Sequence, residues 1–143
     1  MIVGHGGDEA WLRERMPHAK FTGVLRGEEL SRAYANMDLF VFHSHTDTFG
    51  NVVLEALASG VPAIVTQDGG PRTIVRDGET GRVVPDDQFT SAITEILADP
   101  ARHAEMRQAA RAYALTASWD SVFEGVYAAY QRLFPMAQQT AAD

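Results

Sequence analysis

The sequence predicts an α/β fold built on a parallel sheet, and three observations predict it. Short apolar strand-like runs alternate with amphipathic helix-length segments through residue 84. The connections between them are short and rich in Gly, Pro and Asp. Residues 38–42, Asp-Leu-Phe-Val-Phe, are apolar on both faces after the acid. Alternation with short connections is the pattern of parallel strands joined by helical crossovers. A strand apolar on both faces suits a central position with helices above and below.

Taken in order, residues 1–4 read as a short buried strand, and His5-Gly6-Gly7-Asp8 as a turn. Asp8 is placed to cap a helix through Arg15 that Pro17 stops. Residues 19–23 form a second short strand. Residues 27–37 are helical, with Leu30, Ala33, Tyr34 and Met37 on one buried face. The strand 38–42 and a loop to Gly50 lead into a helix over 51–59, with Gly60 at its C′ position. A buried strand over 61–66 tolerates Pro62 at its start. Gly69-Gly70-Pro71 turns into a short helix to Arg76, and Asp77-Gly78-Glu79-Thr80-Gly81 is a turn before a strand over 82–84. Helices over 86–98, 101–115 and 119–133 complete the chain, broken near Pro100 and Ser118, and residues 136–143 read as a frayed tail. This order is half of a doubly wound fold with a helical C-terminal extension. Ligands in such folds lie beyond the carboxyl ends of the strands.

At 143 residues the chain is expected to form one domain with a useful core. The apolar share of 45% and the charged share of 22% are those of an ordinary globular chain. Twelve Lys and Arg face 19 Asp and Glu, for a net charge of −7, which argues against a nucleic-acid surface. No apolar run is long enough to span a bilayer and no signal segment opens the chain, so a cytoplasmic location is expected. The lack of Cys removes disulfides, thiol nucleophiles and Cys-based zinc sites.

The stretch HTDTFGNVVLEALASG, residues 45–60, carries the chemistry. A helix starting near Asn51 leaves its first N–H groups unpaired, and Gly50 permits close backbone approach. Those amides and the helix dipole suit a diphosphate. Glu55 lies one turn inside, and helical side chains tilt toward the N-terminus, so its carboxylate reaches a group attached to that diphosphate. Two carboxylate oxygens match a vicinal diol such as ribose. Asp47 approaches from the other side, toward a sugar hydroxyl. On spacing alone, capping and solubility account for two such acids better than a ligand does.

FHSHTDTFGNVVLEALASGVPAIVTQDGG resembles the donor-binding signature of family 4 retaining glycosyltransferases, which have two Rossmann-like domains, the GT-B fold. That signature runs from an acid through Phe-Gly and a Leu-Glu-Ala helix to Ala-x-Gly-x-Pro. Here it is Asp47, Phe49-Gly50, Leu54-Glu55-Ala56 and Ala58-Ser59-Gly60-Val61-Pro62. MIVGHGG, AKFTGVLRGEELSRAYANMDLFVF and DGETGRVV resemble the flanking segments in order and spacing. The resemblance implies a Rossmann-like donor domain over 1–135 that lacks its first strand and helix. It places Glu55 on the nucleotide ribose and Asp47, Phe49, Gly50, Asn51 and Val52 around the diphosphate and donor sugar. Gly23 and Val24 would lie against the nucleobase. The implied reaction moves a hexose from a nucleoside diphosphate to an acceptor hydroxyl with retention, with no cofactor and no bound metal. The wording TDTFGNVVLEA is similar to enzymes of guanosine-linked mannose and to others of uridine-linked sugars, and it leans to mannose.

Departures from the pattern set further expectations. Asp47 stands where the family more often has Glu, and His43 where it usually has Pro. His43 and His45 share a face in an extended segment, but the sequence shows no third metal ligand beside them. His5 replaces a residue that is often acidic and reads as a loop residue. The Gly-Arg turn and the following Lys that neutralise the leaving diphosphate in the family are not present, and Arg26 and Arg72 fall outside the motif positions. With the acceptor domain also missing, this polypeptide alone is expected not to turn over. An uncovered sheet edge favours self-association, and the full enzyme could touch a membrane peripherally. Trp11 is read as packing the first helix. Trp119, Phe123, Tyr127, Tyr130 and Phe134 form a helix stripe, either core or a docking face. An epimerase or phosphorylase of the same fold would add acids or a cofactor-holding Lys, and a non-catalytic module need not keep nucleotide affinity.

Overall fold

The computed structural model describes residues 1–134; the expected frayed tail at 136–143 lies outside them. Three parallel strands, β1 (Phe40–Phe42), β2 (Ala63–Thr66) and β3 (Gly81–Val84), form a sheet in that order. Phe40 pairs with Ala63 and Ala63 with Gly81, so the strand ends are nearly level. Among the described residues six α-helices accompany the sheet: α1 (Glu9–Arg15), α2 (Gly27–Ala35), α3 (Asn51–Ala58), α4 (Phe89–Ala98), α5 (Pro100–Thr116) and α6 (Trp119–Leu133).

All four residues of β2 are buried, and its alternation sorts the core into two layers. Ala63 and Val65 face Val53 and Leu57 of α3, together with Ile74, Val75 and Ala110. Ile64 faces the other way, toward Val84, Phe89, Ala92, Ile96 and Met106. Strand side chains alternate between faces, so one strand holds a helix on each side of the sheet. This is the α/β arrangement expected from the sequence.

The helix α5 locks the C-terminal ends of two others in place. Arg107 donates to the carbonyl of Met37 at 2.9 Å, just past α2, and Arg111 donates to the carbonyl of Ala58 at the end of α3. Cationic donors at unpaired terminal carbonyls satisfy both the hydrogen bond and the helix dipole. Gly60 follows α3 with φ of 69°, the left-handed residue that ends it.

Three expectations change. The run 38–42 is not a central strand: β1 is at the sheet edge with Val41 exposed, and β2 takes the centre. Residues 1–4 and 19–23 make isolated bridges to each other, Ile2 with Phe21 and Gly4 with Gly23, in place of full strands. Among the described residues neither segment pairs with β1. A lone bridge lacks the sheet neighbours that make a strand stable. The segment after Gly70 is a single 3₁₀ turn, Pro71–Thr73. The aromatic stripe of α6 is settled too. Trp119, Phe123, Tyr127, Tyr130 and Phe134 are all more than half exposed, so the stripe is a surface and not core.

Ile64 is fully buried between β3 and α4. Ile64→Ala is expected to lower unfolding stability by about 2 to 5 kcal/mol, read from urea denaturation. A loss under about 1 kcal/mol would show that this layer is loosely packed.

Candidate functional site

The loop between β1 and α3 crosses the carboxyl end of the sheet, and the loop after β2 holds it there. Gly70 N–H donates to the carbonyl of Asp47 at 2.9 Å. The Thr66 hydroxyl lies 3.1 Å from the carbonyl of Ser44 and 2.9 Å from that of Asp68. A Cβ on Gly70 would run into the carbonyl of Thr48, so only glycine lets these two loops meet.

Gly50 is the N-cap of α3, with φ 87° and ψ 46°, in the left-handed region. A Cβ added there would stand 2.9 Å from Pro71 Cγ. Conformation and contact thus both demand glycine. The effect is to start α3 abruptly. Its carbonyl accepts from Val53 at 2.9 Å and Leu54 at 3.3 Å, while no side chain caps the helix. Among the described residues the N–H groups of Gly50, Asn51 and Val52 have no acceptor. No acidic side chain sits in the first turn to compete for them. Unpaired donors at the positive end of a helix dipole form an anion site.

Glu55 is exposed on α3, and its Oε2 accepts a 3.1 Å hydrogen bond from the Tyr34 hydroxyl on α2. Tyr34 is buried at 5% exposure, packed with Ala56 and Val61 and edge-on to Phe40. Burial first, then the hydrogen bond and the charge of Glu55, push the phenol well above its ordinary range. Tyr34 therefore remains a donor, and it fixes the carboxylate while leaving acceptor capacity on the solvent side. Gly27, Leu30, Tyr34, Glu55, Ser59 and Arg111 line a groove of about 790 Å³ between α2 and α3. Gly23 and Val24 lie just before α2, with Gly23 at φ 69° and Val24 exposed.

Asp47 is partly occupied by its own loop. Its Oδ1 accepts from Phe49 N–H at 2.9 Å, a local turn that Asp side chains favour. No hydrogen bond among the described residues joins it to Glu55. Phe49 is exposed at 55%. Arg72 donates to the carbonyl of Gln67 at 3.1 Å and so braces the loop after β2.

Sequence reasoning missed Tyr34, which it read only as part of a buried helix face. It also missed the contact between Pro71 and Gly50. Both are long-range contacts with no local signature.

The family model described as "Glycosyl transferases group 1" matches residues 1–99. The chain belongs to this family. It is 41% identical over 133 residues to the GDP-mannose-dependent alpha-mannosyltransferase of Mycobacterium tuberculosis (strain CDC 1551 / Oshkosh), covering 92% of this chain and 35% of that protein. The GDP-mannose-dependent alpha-mannosyltransferase of Corynebacterium glutamicum (strain ATCC 13032) is 37% identical over 142 residues, covering 97% of this chain and 34% of that protein. The chain thus spans about a third of the length of these relatives. Sucrose-phosphate synthase from Thermosynechococcus elongatus superposes with a TM-score of 0.76 at 27% identity, over 94% of this chain and 38% of that one. The C-terminal domain of a glycosyl transferase group 1 family protein (LpcC) from Francisella tularensis gives 0.66 at 25% identity, over 79% of this chain and 65% of that one. The fold is the C-terminal half of the GT-B architecture.

Gly50→Ala forces a side chain into the left-handed region against Pro71. It is expected to cost about 1 to 3 kcal/mol of stability in chemical denaturation. An unchanged midpoint would show that the start of α3 is not set by this residue.

Proposed function

We propose that this chain is the donor-binding part of a retaining glycosyltransferase, with guanosine-linked mannose as its donor. The observation that carries the reading is the set of free amides at Gly50, Asn51 and Val52, one turn from a carboxylate that Tyr34 holds in place. In this reading the amides and the dipole of α3 take the diphosphate. Glu55 accepts from the two ribose hydroxyls. Asp47 and Phe49 border the sugar, and Gly23 and Val24 approach the base. The names of the mycobacterial and corynebacterial relatives support the choice of guanosine and mannose.

The reaction breaks the bond from the anomeric carbon to the diphosphate oxygen and forms one from that carbon to an acceptor hydroxyl oxygen, whose proton passes to the departing diphosphate. Negative charge grows on the departing diphosphate, and preorganised donors facing it lower the barrier. No step in this reading requires a metal. The acceptor site belongs to the rest of the two-domain enzyme. The 143-residue chain is accordingly expected to bind donor without transferring its sugar.

Calorimetric titration with GDP, GDP-mannose and UDP tests the reading. GDP ligands are expected to bind more tightly than UDP, and Glu55→Ala to weaken binding about 10-fold or more, the loss of a charged hydrogen-bonded contact. Tyr34→Phe keeps the carboxylate but frees it, with an expected loss of about 2- to 10-fold. Equal binding by wild type and Glu55→Ala would overturn the ribose assignment.

A further inference from the structure

A cluster beside the donor loop has no part in that reading. His43 Nε2 lies 3.1 Å from Asp86 Oδ1, and His45 Nε2 lies 3.3 Å from Asp86 Oδ2. The ligating atoms of His43, His45 and Asp86 all fall within 4.8 Å of one another. On its other side, His45 Nδ1 is hydrogen-bonded to Asp68 Oδ2 at 3.3 Å. The His43 ring is held edge-on by Phe89 at 5.0 Å and by His45 at 5.0 Å. Asp86, far along the chain, thus brings a carboxylate beside the His-x-His pair that the sequence does not announce.

We infer that His43, His45 and Asp86 form a binding site for a divalent transition-metal ion of the zinc class, with Asp68 orienting His45. The first argument is hydrogen-bond chemistry. A neutral imidazole has one N–H. With that proton on Nδ1 and given to Asp68, Nε2 turns a lone pair toward the carboxylate of Asp86. In that tautomer two electron-rich groups face each other, a repulsion that a cation between them removes. A carboxylate on the remote nitrogen of a ligating histidine is the usual outer partner in metal sites.

The second argument is distance. Zinc bonds of about 2.0 to 2.1 Å at tetrahedral angles place neighbouring ligand atoms roughly 3.3 Å apart. His43 and His45 each lie near that spacing from one oxygen of Asp86, at 3.1 Å from Oδ1 and 3.3 Å from Oδ2, and the whole set, within 4.8 Å, closes around one ion by small side-chain rotations. Two imidazoles with one carboxylate favour zinc and its neighbours over calcium or magnesium, which take oxygen shells. Three protein ligands leave a fourth position for water.

The placement gives the ion a consequence. His43 and His45 follow β1, Asp68 follows β2, and Asp86 follows β3. A bound ion joins the carboxyl ends of β1 and β3, reaches β2 through Asp68 on His45, and clips the loop that carries Asp47 and Gly50. Protonation of His45 also satisfies both carboxylates, and metal titration separates the two states.

The tag-free protein, stripped with a chelator, is titrated with Co²⁺ by visible absorption and with Zn²⁺ by calorimetry, with circular dichroism checking that each variant is folded. One equivalent of Co²⁺ is expected to give tetrahedral absorption bands that Zn²⁺ abolishes. His43→Ala and Asp86→Asn are each expected to abolish saturable binding, and Asp68→Asn to weaken it about 10- to 100-fold. Absence of saturable binding by folded wild type, or binding that survives Asp86→Asn, would overturn the inference.

Discussion

The strand Ala63–Thr66 is buried at every position, and both helix layers depend on it. Ala63 and Val65 hold α3, and Ile64 joins the layer that packs on α4. β1 is an edge strand with an exposed valine, and β3 adds only the partly buried Val83 to one layer and Val84 to the other. Because α3 rests on β2, the position of its N-terminus is fixed by hydrophobic packing and not by its own short length. An eight-residue helix has little stability alone. The unpaired amides at its start are therefore held by the core beneath them.

The same strand also sets the loop above. Thr66, at its end, holds Ser44, and the Gly69-Gly70-Pro71 turn that follows supports Asp47, Thr48 and Gly50. Glycine is needed where the two loops touch, since a Cβ on Gly70 meets the backbone of Thr48. Asp47 then divides its role. One oxygen shapes the turn at Phe49, and the remaining acceptor capacity is available to a ligand. Tyr34 serves Glu55 from below in a similar way, with the hydroxyl at the boundary between core and groove. The site is built from local loops, but the Glu55 carboxylate and the Asp47 backbone carbonyl are positioned by partners distant in sequence.

That division explains what could be read from residues alone. The helix over 51–58 was legible because Gly50 and Gly60 mark its ends and Val53, Ala56 and Leu57 fall on one face. The buried strand at 63–66, the turn at 77–81 and the three C-terminal helices were legible from apolar runs and breakers. Strand order was not. Apolar residues on both faces indicate burial, but they do not say which neighbour pairs with which, so the run at 38–42 reads as central while β1 is an edge. Residues 1–4 and 19–23 have strand composition, yet they meet only in isolated bridges. In the candidate site, Glu55 and Gly50 were visible through motif spacing. Tyr34 and Asp86 were not, because nothing near them in sequence announces their partners.

The measurement that tests the central claim most directly is a crystal structure of the protein with GDP bound. The account predicts diphosphate oxygens within hydrogen-bonding distance of the amides of Gly50, Asn51 and Val52, with both ribose hydroxyls on Glu55. GDP seated elsewhere, with those amides facing solvent, would contradict it.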